Sequence, residues 1–350
     1  MKKSKKIAKF FSARRILIAV IIGLIVSIIL LFRDFEIQKY ANLNWGYVAT
    51  FNLLIAIILM GIRDLAYIYR LRVLLENKIL WRNSLQVILL WEFASALTPS
   101  VVGGSAVAVY IVSKEVNSLG KSTAIVMLTA LLDELFYIVM VPILYLFITS
   151  QKLFIISDFS IFNLGMMSTK SIFLIGYIFI LFLTSLIAFA IFVKPEAFKR
   201  VIIGLFSTKL LIRWQKKAIK VGEDVVITSS EIKGKSKGFW IKAIGATFIS
   251  WTARFLVVNF LIMAFVGGGD QLLIYSRQLI MWVILLISPT PGGSGIAEYI
   301  LPKFLGQWMG NFGNEIALVW RLISYYSYLI FGAIVLPLWL KRNFKKYSKS

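Results

Sequence analysis

The chain has 350 residues, no cysteine and no histidine, which excludes disulfides, thiolate nucleophiles, histidine-ligated zinc and Ser-His-Asp catalysis. It is 59% hydrophobic, and several apolar runs are long enough to cross a bilayer, which indicates a helical multi-pass membrane protein. The net charge of +23 comes from basic residues at the two termini and in two connecting segments, a pattern that indicates contact with an anionic leaflet rather than with nucleic acid.

Six apolar segments are predicted to cross the membrane completely. In chain order they are 16–32, 45–62, 122–149, 171–193, 238–265 and 315–340. Two further apolar stretches, 84–113 and 272–305, are each interrupted by a Thr-Pro pair and a Gly-Gly pair. No polar stretch is long enough for a soluble domain, so residues 1–350 are expected to form one integral membrane domain.

Lysine and arginine counts orient these segments. The basic stretches 1–15, 63–83, 194–237 and 341–350 are all predicted to face the cytoplasm, with the protein in the plasma membrane and both termini inside. Under that constraint the first interrupted stretch must enter and leave on the cytoplasmic side, and the second must enter and leave on the outer side. Both are therefore predicted to be re-entrant helical hairpins. Complete crossing by both stretches is the alternative.

The two interrupted stretches share a peptide. Residues 103–111 and 292–300, which lie 189 positions apart, are identical at six of nine positions, and each copy follows a Thr-Pro pair. The units 45–149 and 238–340 also have the same order of span, hairpin and span in opposite orientations. The sequence thus predicts an all-α inverted-topology repeat, and duplicated breaks of this kind indicate a transporter site near the membrane midplane.

Residues at the two breaks are predicted to bind substrate. Glycine allows close backbone approach and proline removes a donor, so a helix that begins after each Gly-Gly pair would present free N–H groups to an anion. The candidates are Thr98, Pro99, Gly103, Gly104, Pro291, Gly292, Gly293 and Gly295. Close helix packing is the alternative role for the glycines.

Ionisable residues within the apolar segments supply the remaining candidates. Each costs roughly 2.5–3.5 kcal/mol at a helix centre, so these side chains should face inward and pair. They are Glu92, Asp133, Glu134, Arg254, Arg277, Glu298 and Arg321. We expect Asp133 or Glu134 to meet Arg254, and Glu298 to meet Arg277 or Arg321.

A functional role and a structural role are both open for these pairs. In the functional role, Arg254, Arg277 and Arg321 form a cationic seat for a phosphate-bearing headgroup, and Asp133 and Glu298 tune it. In the structural role, the ion pairs lock hairpins to spans. Because Glu298 has no acidic counterpart in the first repeat, replacing it by Gln is expected to abolish activity and to leave folding intact.

The basic segment 194–237 is predicted to lie on the inner leaflet. Phe198, Val201, Ile202 and Leu205 fall on one helical face between basic residues, which is the pattern of an interfacial amphipathic helix. Anionic headgroups are its expected partners.

The order of these motifs is similar to that of the flippase-like transmembrane domain of lysylphosphatidylglycerol synthases, and the size is similar to that of its stand-alone members. The resemblance covers roughly residues 10–340 and rests on Leu97-Thr98-Pro99, Gly103-Gly104, Asp133, the Pro-Thr-Pro-Gly-Gly-Ser-Gly run at 289–295, Glu298 and Arg321. It implies movement of an amphipathic lipid between leaflets, such as an aminoacylated phosphatidylglycerol or a polyprenyl-phosphate-linked sugar, without the aminoacyl-transferase domain of the synthases. The chain departs from the family pattern where charged residues are usual, at Ser105, Ala108, Thr129, Ala130 and Ala297.

The leading expectation is therefore a lipid translocase and not an enzyme, with membrane lipids as partners, no nucleic acid, and neither cofactor nor metal. Two alternatives stay open. One is a membrane enzyme that acts on lipid phosphates and uses Asp133, Glu134 and Glu298 as metal ligands or bases. The other is a membrane partner that recruits a soluble glycosyltransferase or lipid-modifying enzyme through its basic cytoplasmic surface.

Overall fold

The computed structural model describes residues 46–98, 100–154, 168–208, 211–285, 293 and 296–345, so the predicted span at 16–32 lies outside the described residues. All regular elements in these ranges are helices. They are α1 Tyr47–Leu74, α2 Trp81–Leu97, α3 Ser100–Val116, α4 Leu119–Phe147, α5 Ser150–Leu153, α6 Thr169–Ala188, α7 Pro195–Phe206, α8 Gln215–Lys233, α9 Lys237–Phe265, α10 Gln271–Leu285, α11 Ile296–Met309, α12 Gly313–Arg321 and α13 Ser327–Lys345. A π turn at Phe189–Val193 extends α6, and another at Leu322–Tyr326 joins α12 to α13.

Five helical stretches in the described ranges are long and apolar enough to cross a membrane. They are Tyr47–Leu74, Leu119–Phe147, Thr169–Val193, Lys237–Phe265 and Ile296–Asn343. The last of these is not one straight rod, because Gly310 has a φ of +53° between α11 and α12. A Cβ added at Gly313 would lie 3.2 Å from Pro302, so α12 folds back against α11. The prediction of an all-α, multi-pass membrane protein is confirmed, and the number of complete spans stays a prediction.

Helix α1 corrects the boundary predicted at residue 62. The helix continues to Leu74, and it contains Arg63 and Arg70, which the charge count assigned to a cytoplasmic segment. Both side chains are 1% exposed. Each arginine has a half-buried carboxylate partner on another helix, and a paired arginine inside a helix bundle carries no orientation signal. The boundary at residue 62 is therefore too early, and the side of the membrane stays a prediction.

The two interrupted stretches each form a pair of helices that pack against one another, α2 with α3 and α10 with α11. Helix α2 has 17 residues and α10 has 15. At 1.5 Å per residue α2 is about 25 Å long, shorter than the roughly 30 Å hydrocarbon core of a bilayer, so this arm is not long enough to cross by itself. The described part of α10 is about 22 Å long. The turn of the second pair, 286–292 with 294–295, lies outside the described residues.

The first helices of the two predicted repeats, α1 and α9, pack along each other. Buried apolar side chains gather in two large clusters on either side of this pair. One takes most of its members from α9 to α12, and the other takes most from α1 to α4. Helix α4 contributes to both, and the ends of the two hairpins meet between them.

The basic segment predicted to be interfacial forms two helices, α7 and α8, which pack against each other. Helix α7 has no buried residue, and Val201 and Leu205 on its apolar face are 61% and 58% exposed. Helix α8 is anchored to the start of α4, where Ser118 donates a 2.8 Å hydrogen bond to Asp224. The exposed apolar face of α7 is what contact with a leaflet surface requires.

Candidate functional site

A cavity of about 250 Å³ lies where the two hairpins end. The last turn of α2 contributes Ser95 to its wall, and the first turns of α3 contribute Ser105. The second hairpin contributes Trp282 near the end of α10, together with Gly293 and Ala297 at the start of α11. Side chains from α1, α4, α9 and residues 321–328 complete the wall. The two sequence breaks, 189 positions apart, therefore border one chamber.

Arg63 of α1 holds the first hairpin against this cavity. Its guanidinium donates to Glu92 on α2 at 2.5 Å and to Asp64 at 2.8 Å. It also donates to the Tyr328 hydroxyl at 2.9 Å, and that hydroxyl donates to Asp64 at 2.6 Å. A buried charge with this many partners is typical of a structural anchor, since removing one member leaves the others uncompensated.

A second anchor lies about two helical turns further along α1. Arg70 binds both carboxylate oxygens of Asp133 on α4, at 2.6 and 3.2 Å, and donates to Thr247 on α9 at 2.9 Å. Asp133 also accepts from Trp251 Nε1 at 2.8 Å and from the Tyr67 hydroxyl at 3.1 Å. The carboxylate of Asp133 thus joins three long helices.

Arg63, Tyr67 and Arg70 occupy positions i, i+4 and i+7 and therefore share one face of α1. The Tyr67 ring lies 4.3 Å from each guanidinium carbon, between the two arginines. Sequence reasoning missed this group because it ended the span at residue 62. The spacing was the signal that could have found it, because loop arginines have no reason to follow a helical period.

An ion pair between described residues holds the second hairpin against α12. Arg321 of α12 donates from Nε to Glu298 of α11 at 2.7 Å, and its guanidinium carbon lies 3.9 Å from the centre of the Tyr325 ring. Arg321 lines the cavity, whereas Glu298 lies behind it. The predicted pairing of Glu298 with Arg321 is therefore present in the structure.

Arg254 of α9 differs from the other arginines that line the cavity. Its guanidinium carbon lies 4.4 Å from the Trp282 ring and 5.5 Å from the Trp251 ring. It forms a salt bridge with no carboxylate in the part of the chain that the structure describes. The predicted pairing of Asp133 or Glu134 with Arg254 is wrong, because Asp133 is saturated by Arg70, Trp251 and Tyr67.

Glu134 faces the same cavity and is 8% exposed. Its Oε2 atom has no hydrogen-bond partner among the described residues. The cavity wall thus combines one arginine that contacts only aromatic rings with one carboxylate that has an unsatisfied oxygen.

Arg277, predicted to bind substrate, lies elsewhere. Its Nε and Nη2 donate to the carbonyl of Lys152 at 3.0 and 2.8 Å, and Nη1 donates to the carbonyl of Phe304 at 3.2 Å. The Trp308 ring covers it at 4.7 Å. Arg277 does not line the cavity, because its guanidinium ties α10 to α5 and α11 instead. We therefore remove it from the candidate site.

The two Gly-Gly pairs have different structures. Helix α3 begins at Ser100, so Gly103 and Gly104 lie inside it, and the prediction of a helix that starts after them is wrong for this copy. A Cβ at Gly104 would collide with the side chain of Ser95 and lie 2.9 Å from Ser95 Cα. Gly104 therefore serves the close packing of α2 on α3.

In the second copy, Gly293 precedes the helix. It has a φ of +68°, lines the cavity, and its carbonyl accepts from the Ala297 amide at 2.8 Å. Thr98 of the first break closes the end of α2 by donating to the Ala94 carbonyl at 2.7 Å, and it does not line the cavity. Four predicted site residues lie outside the described residues, namely Pro99, Pro291, Gly292 and Gly295.

The carboxylates do not converge as the enzyme alternative requires. Among the described residues, no three acidic side chains lie close enough together to hold one metal ion. Asp133 and Glu298 are bound by different arginines on different helices. The described carboxylates are thus divided between separate ion pairs.

Comparisons with known proteins agree on one family. The family model of the lysylphosphatidylglycerol synthase transmembrane region matches residues 16–332. A UPF0104 membrane protein of Archaeoglobus fulgidus is 26% identical over 334 residues, which cover 89% of this chain and 94% of that protein. No solved structure matches the chain.

Proposed function

We propose, from the premise that this chain belongs to the lysylphosphatidylglycerol synthase transmembrane-region family, that it moves a phosphate-bearing lipid between the leaflets of the plasma membrane. The family match and the apolar helices establish a multi-pass membrane protein. The translocase activity, the choice of membrane and the inside location of both termini are parts of the proposal.

The observation that carries the proposal is Arg254. A guanidinium that lines a cavity, lies against the Trp251 and Trp282 rings and has no hydrogen-bond or salt-bridge partner among the described residues has donors available for a phosphate, which it can bind in bidentate fashion. A lipid needs such a polar seat for its headgroup alone, because its acyl chains remain in the hydrocarbon. The neighbouring Arg63 and Arg321 already form salt bridges with carboxylates. An added anion would therefore be stabilised more at Arg254 than at either of them.

The two hairpins explain how a headgroup would reach Arg254 from both sides of the membrane. In the proposal, α2–α3 enters from the cytoplasmic face and α10–α11 from the outer face, and their ends meet at the cavity. The short arm α2 and the shared cavity wall support this arrangement. Irregular backbone such as Gly293 is tolerated at membrane depth where it lines a polar cavity. Alternating access would then open the chamber to one leaflet at a time.

Lipid exchange in reconstituted vesicles tests the proposal. Purified protein is reconstituted with fluorescent phospholipids of several headgroup classes, and exchange is measured as the fraction of label that an external quencher reaches. We expect wild-type protein to exceed protein-free vesicles, and Arg254→Gln to return exchange to the protein-free rate. Glu298→Gln is also expected to abolish exchange while the protein stays monodisperse. Arg82→Gln is the matched control, because Arg82 is exposed at the start of α2, away from the cavity.

Two outcomes would contradict the proposal. Wild-type protein that exchanges none of the lipid classes faster than empty vesicles would exclude a translocase. Arg254→Gln that behaves like Arg82→Gln would remove the site. The recruitment alternative makes the opposite prediction, since a soluble enzyme should then co-purify with the Arg254→Gln and Glu298→Gln variants as well as with wild-type protein.

A further inference from the structure

A second concavity lies on the outer surface of the helix bundle, between α1 and α9. This groove has a volume of about 520 Å³ and shares no lining residue with the cavity between the hairpins. Leu65 and Tyr69 form one wall, and Lys242, Gly245 and Ile249 form the other. Each set follows a helical spacing, so the groove runs along the contact between the two helices.

Small side chains open this groove to the hydrocarbon. A Cβ added at Gly245 would meet no atom within 4 Å, so the space above this glycine is empty. The walls are apolar and turned outward, with Leu65 60% and Ile249 54% exposed. From Lys242 to Ile249 the wall rises about 10 Å along the helix axis. These dimensions and this chemistry suit an acyl chain.

One end of the groove is polar. Tyr69, Trp81 and Lys242 meet there and offer a hydroxyl, an indole N–H and an ammonium. Within the described part of the chain, none of the three makes a hydrogen bond or an ion pair through these groups. The Arg72 guanidinium lies 4.6 Å from the Trp81 ring and adds a further positive charge. The hydroxyl, the indole N–H and the ammonium, which bind no described protein acceptor, match the oxygens of a phosphodiester, whereas Arg72 donates to the Ile79 carbonyl at 2.6 Å and contributes its charge.

The position of this polar end agrees with a headgroup. It adjoins the loops 75–80 and 234–236, which the charge pattern predicts to be cytoplasmic, and a tryptophan at such a boundary is typical of the membrane interface. The apolar part of the groove continues from there toward the membrane interior. A lipid in the cytoplasmic leaflet would place its phosphate at the polar end and its acyl chain in the apolar part of the groove.

We infer that the groove between α1 and α9 binds an anionic phospholipid, with one acyl chain against Gly245 and the phosphodiester at Tyr69, Trp81 and Lys242. This inference is independent of the proposed translocase activity, because this lipid is held on the outside of the bundle and does not enter the cavity. The bound lipid would bridge the first helices of the two predicted repeats and stabilise their contact.

Native mass spectrometry of the detergent-solubilised protein tests this inference. Wild-type protein is titrated with phosphatidylglycerol and with phosphatidylcholine of the same chain composition, and apparent dissociation constants are derived from the bound fractions. We expect tighter binding of phosphatidylglycerol. Lys242→Gln should weaken that binding about tenfold, the loss expected for one hydrogen bond to a charged group, and should remove the preference between the two lipids.

A second experiment fills the groove with a larger side chain. Gly245→Leu should abolish specific binding of both lipids, because the new side chain occupies the space meant for the acyl chain. Gly61→Leu is the matched control, since Gly61 also lies on an exposed face of one of the two helices with no atom within 4 Å of an added Cβ, but outside the groove. Leucine favours a helix more than glycine, so neither change should oppose folding.

Three outcomes would overturn the inference. They are equal affinity of wild-type protein for the two lipids, unchanged affinity in Lys242→Gln, and binding to Gly245→Leu that matches binding to Gly61→Leu. The second of these involves only an exposed side chain, so it remains decisive if Gly245→Leu fails to fold.

Discussion

The two predicted repeats treat their buried arginines differently. In the first, Arg63 and Arg70 are both bound by carboxylates at 2.5–2.8 Å. In the second, Glu298 binds Arg321 and two backbone carbonyls bind Arg277, whereas the half-buried Arg254 lies against tryptophan rings and has no described carboxylate partner. An arginine whose donors are occupied fixes the arrangement of helices, whereas one that lines the cavity with donors available can bind an anion from outside. The comparison therefore separates the residues that hold the cavity from the residue that we expect to use it.

The duplicated glycines show a similar division of roles. Gly104 lies within a helix and allows close packing, whereas Gly293 precedes a helix with a positive φ and borders the cavity. The spacing from the preceding proline explains the difference. Three residues separate Pro99 from Gly103, which leaves room for α3 to begin at Ser100, but Gly292 follows Pro291 directly. Six identities in nine positions thus encode two different local structures.

The arginine comparison predicts the largest contrast in stability. Replacing Arg63 by Gln leaves the half-buried carboxylates of Glu92 and Asp64 without their cation, which should lower the free energy of unfolding by about 3 kcal/mol. Arg254→Gln removes only contacts with aromatic rings, so its cost should be about 0.5–2 kcal/mol. Thermal unfolding in detergent, followed by circular dichroism, measures both changes.

A double variant checks the cause of this contrast. If the unpaired carboxylate is what destabilises Arg63→Gln, adding Glu92→Gln should recover part of the loss, because two neutral side chains can hydrogen-bond to one another. No recovery, or equal losses for Arg63→Gln and Arg254→Gln, would show that the two arginines do not divide their roles in this way.

Substitutions at the two glycines should differ less in their cost to stability, and the difference depends on the residue introduced. Gly104→Ala should cost about 1–3 kcal/mol, because its Cβ meets the backbone of Ser95 at 2.9 Å and the two helices must separate. Gly293→Ala meets no atom closer than 3.9 Å, so only its positive φ opposes it, at about 1–2 kcal/mol.

Asparagine distinguishes the two mechanisms, since it tolerates a positive φ but is larger than alanine. Gly293→Asn should therefore be more stable than Gly293→Ala, whereas Gly104→Asn should be less stable than Gly104→Ala. The thermal midpoints of the four variants decide the matter. If the same variant, alanine or asparagine, is the more stable one at both positions, then one mechanism acts in both copies.

The helical architecture followed from the sequence because apolar length and charge are local properties. The predicted start and end of α9, 238 and 265, agree with the structure within one residue. Pairing was less predictable. Arg254 and Asp133 are at compatible depths, but depth does not give the rotation of a helix about its axis, and that rotation directs Asp133 toward Arg70.

The same limitation explains the misplaced site residues. Arg277 lies in an apolar segment like Arg254, yet it reaches the carbonyls of Lys152 and Phe304, which no count of charges can reveal. Conversely, Glu298 and Arg321 were correctly paired, because helices α11 and α12 are adjacent in the chain and their connection is short. Contacts between neighbouring elements could be predicted from sequence, and contacts across the bundle could not.

An ion pair at the surface, between the loop after α1 and the residues just before α9, supplies the reference for these buried pairs. Lys235, just before α9, lies 2.9 Å from Glu76, just after α1. The hydrogen bond from Lys235 lowers the pKa of the Glu76 carboxyl. Because both groups are at the surface and screened by solvent, Lys235→Gln should cost less than about 1 kcal/mol at neutral pH, well below the cost of Arg63→Gln.

The pH dependence of this loss identifies its source. A lowered pKa in the folded state stabilises the protein above the unfolded-state pKa, about 4.3 for Glu, and the contribution disappears as the pH falls through the lower folded value. The thermal midpoints of wild-type protein and Lys235→Gln should therefore differ at neutral pH and converge in acid, and added salt should reduce the difference. A difference that persists in acid would assign the effect to packing of the lysine stem, and the pair would then give no measure of what an exposed charge contributes.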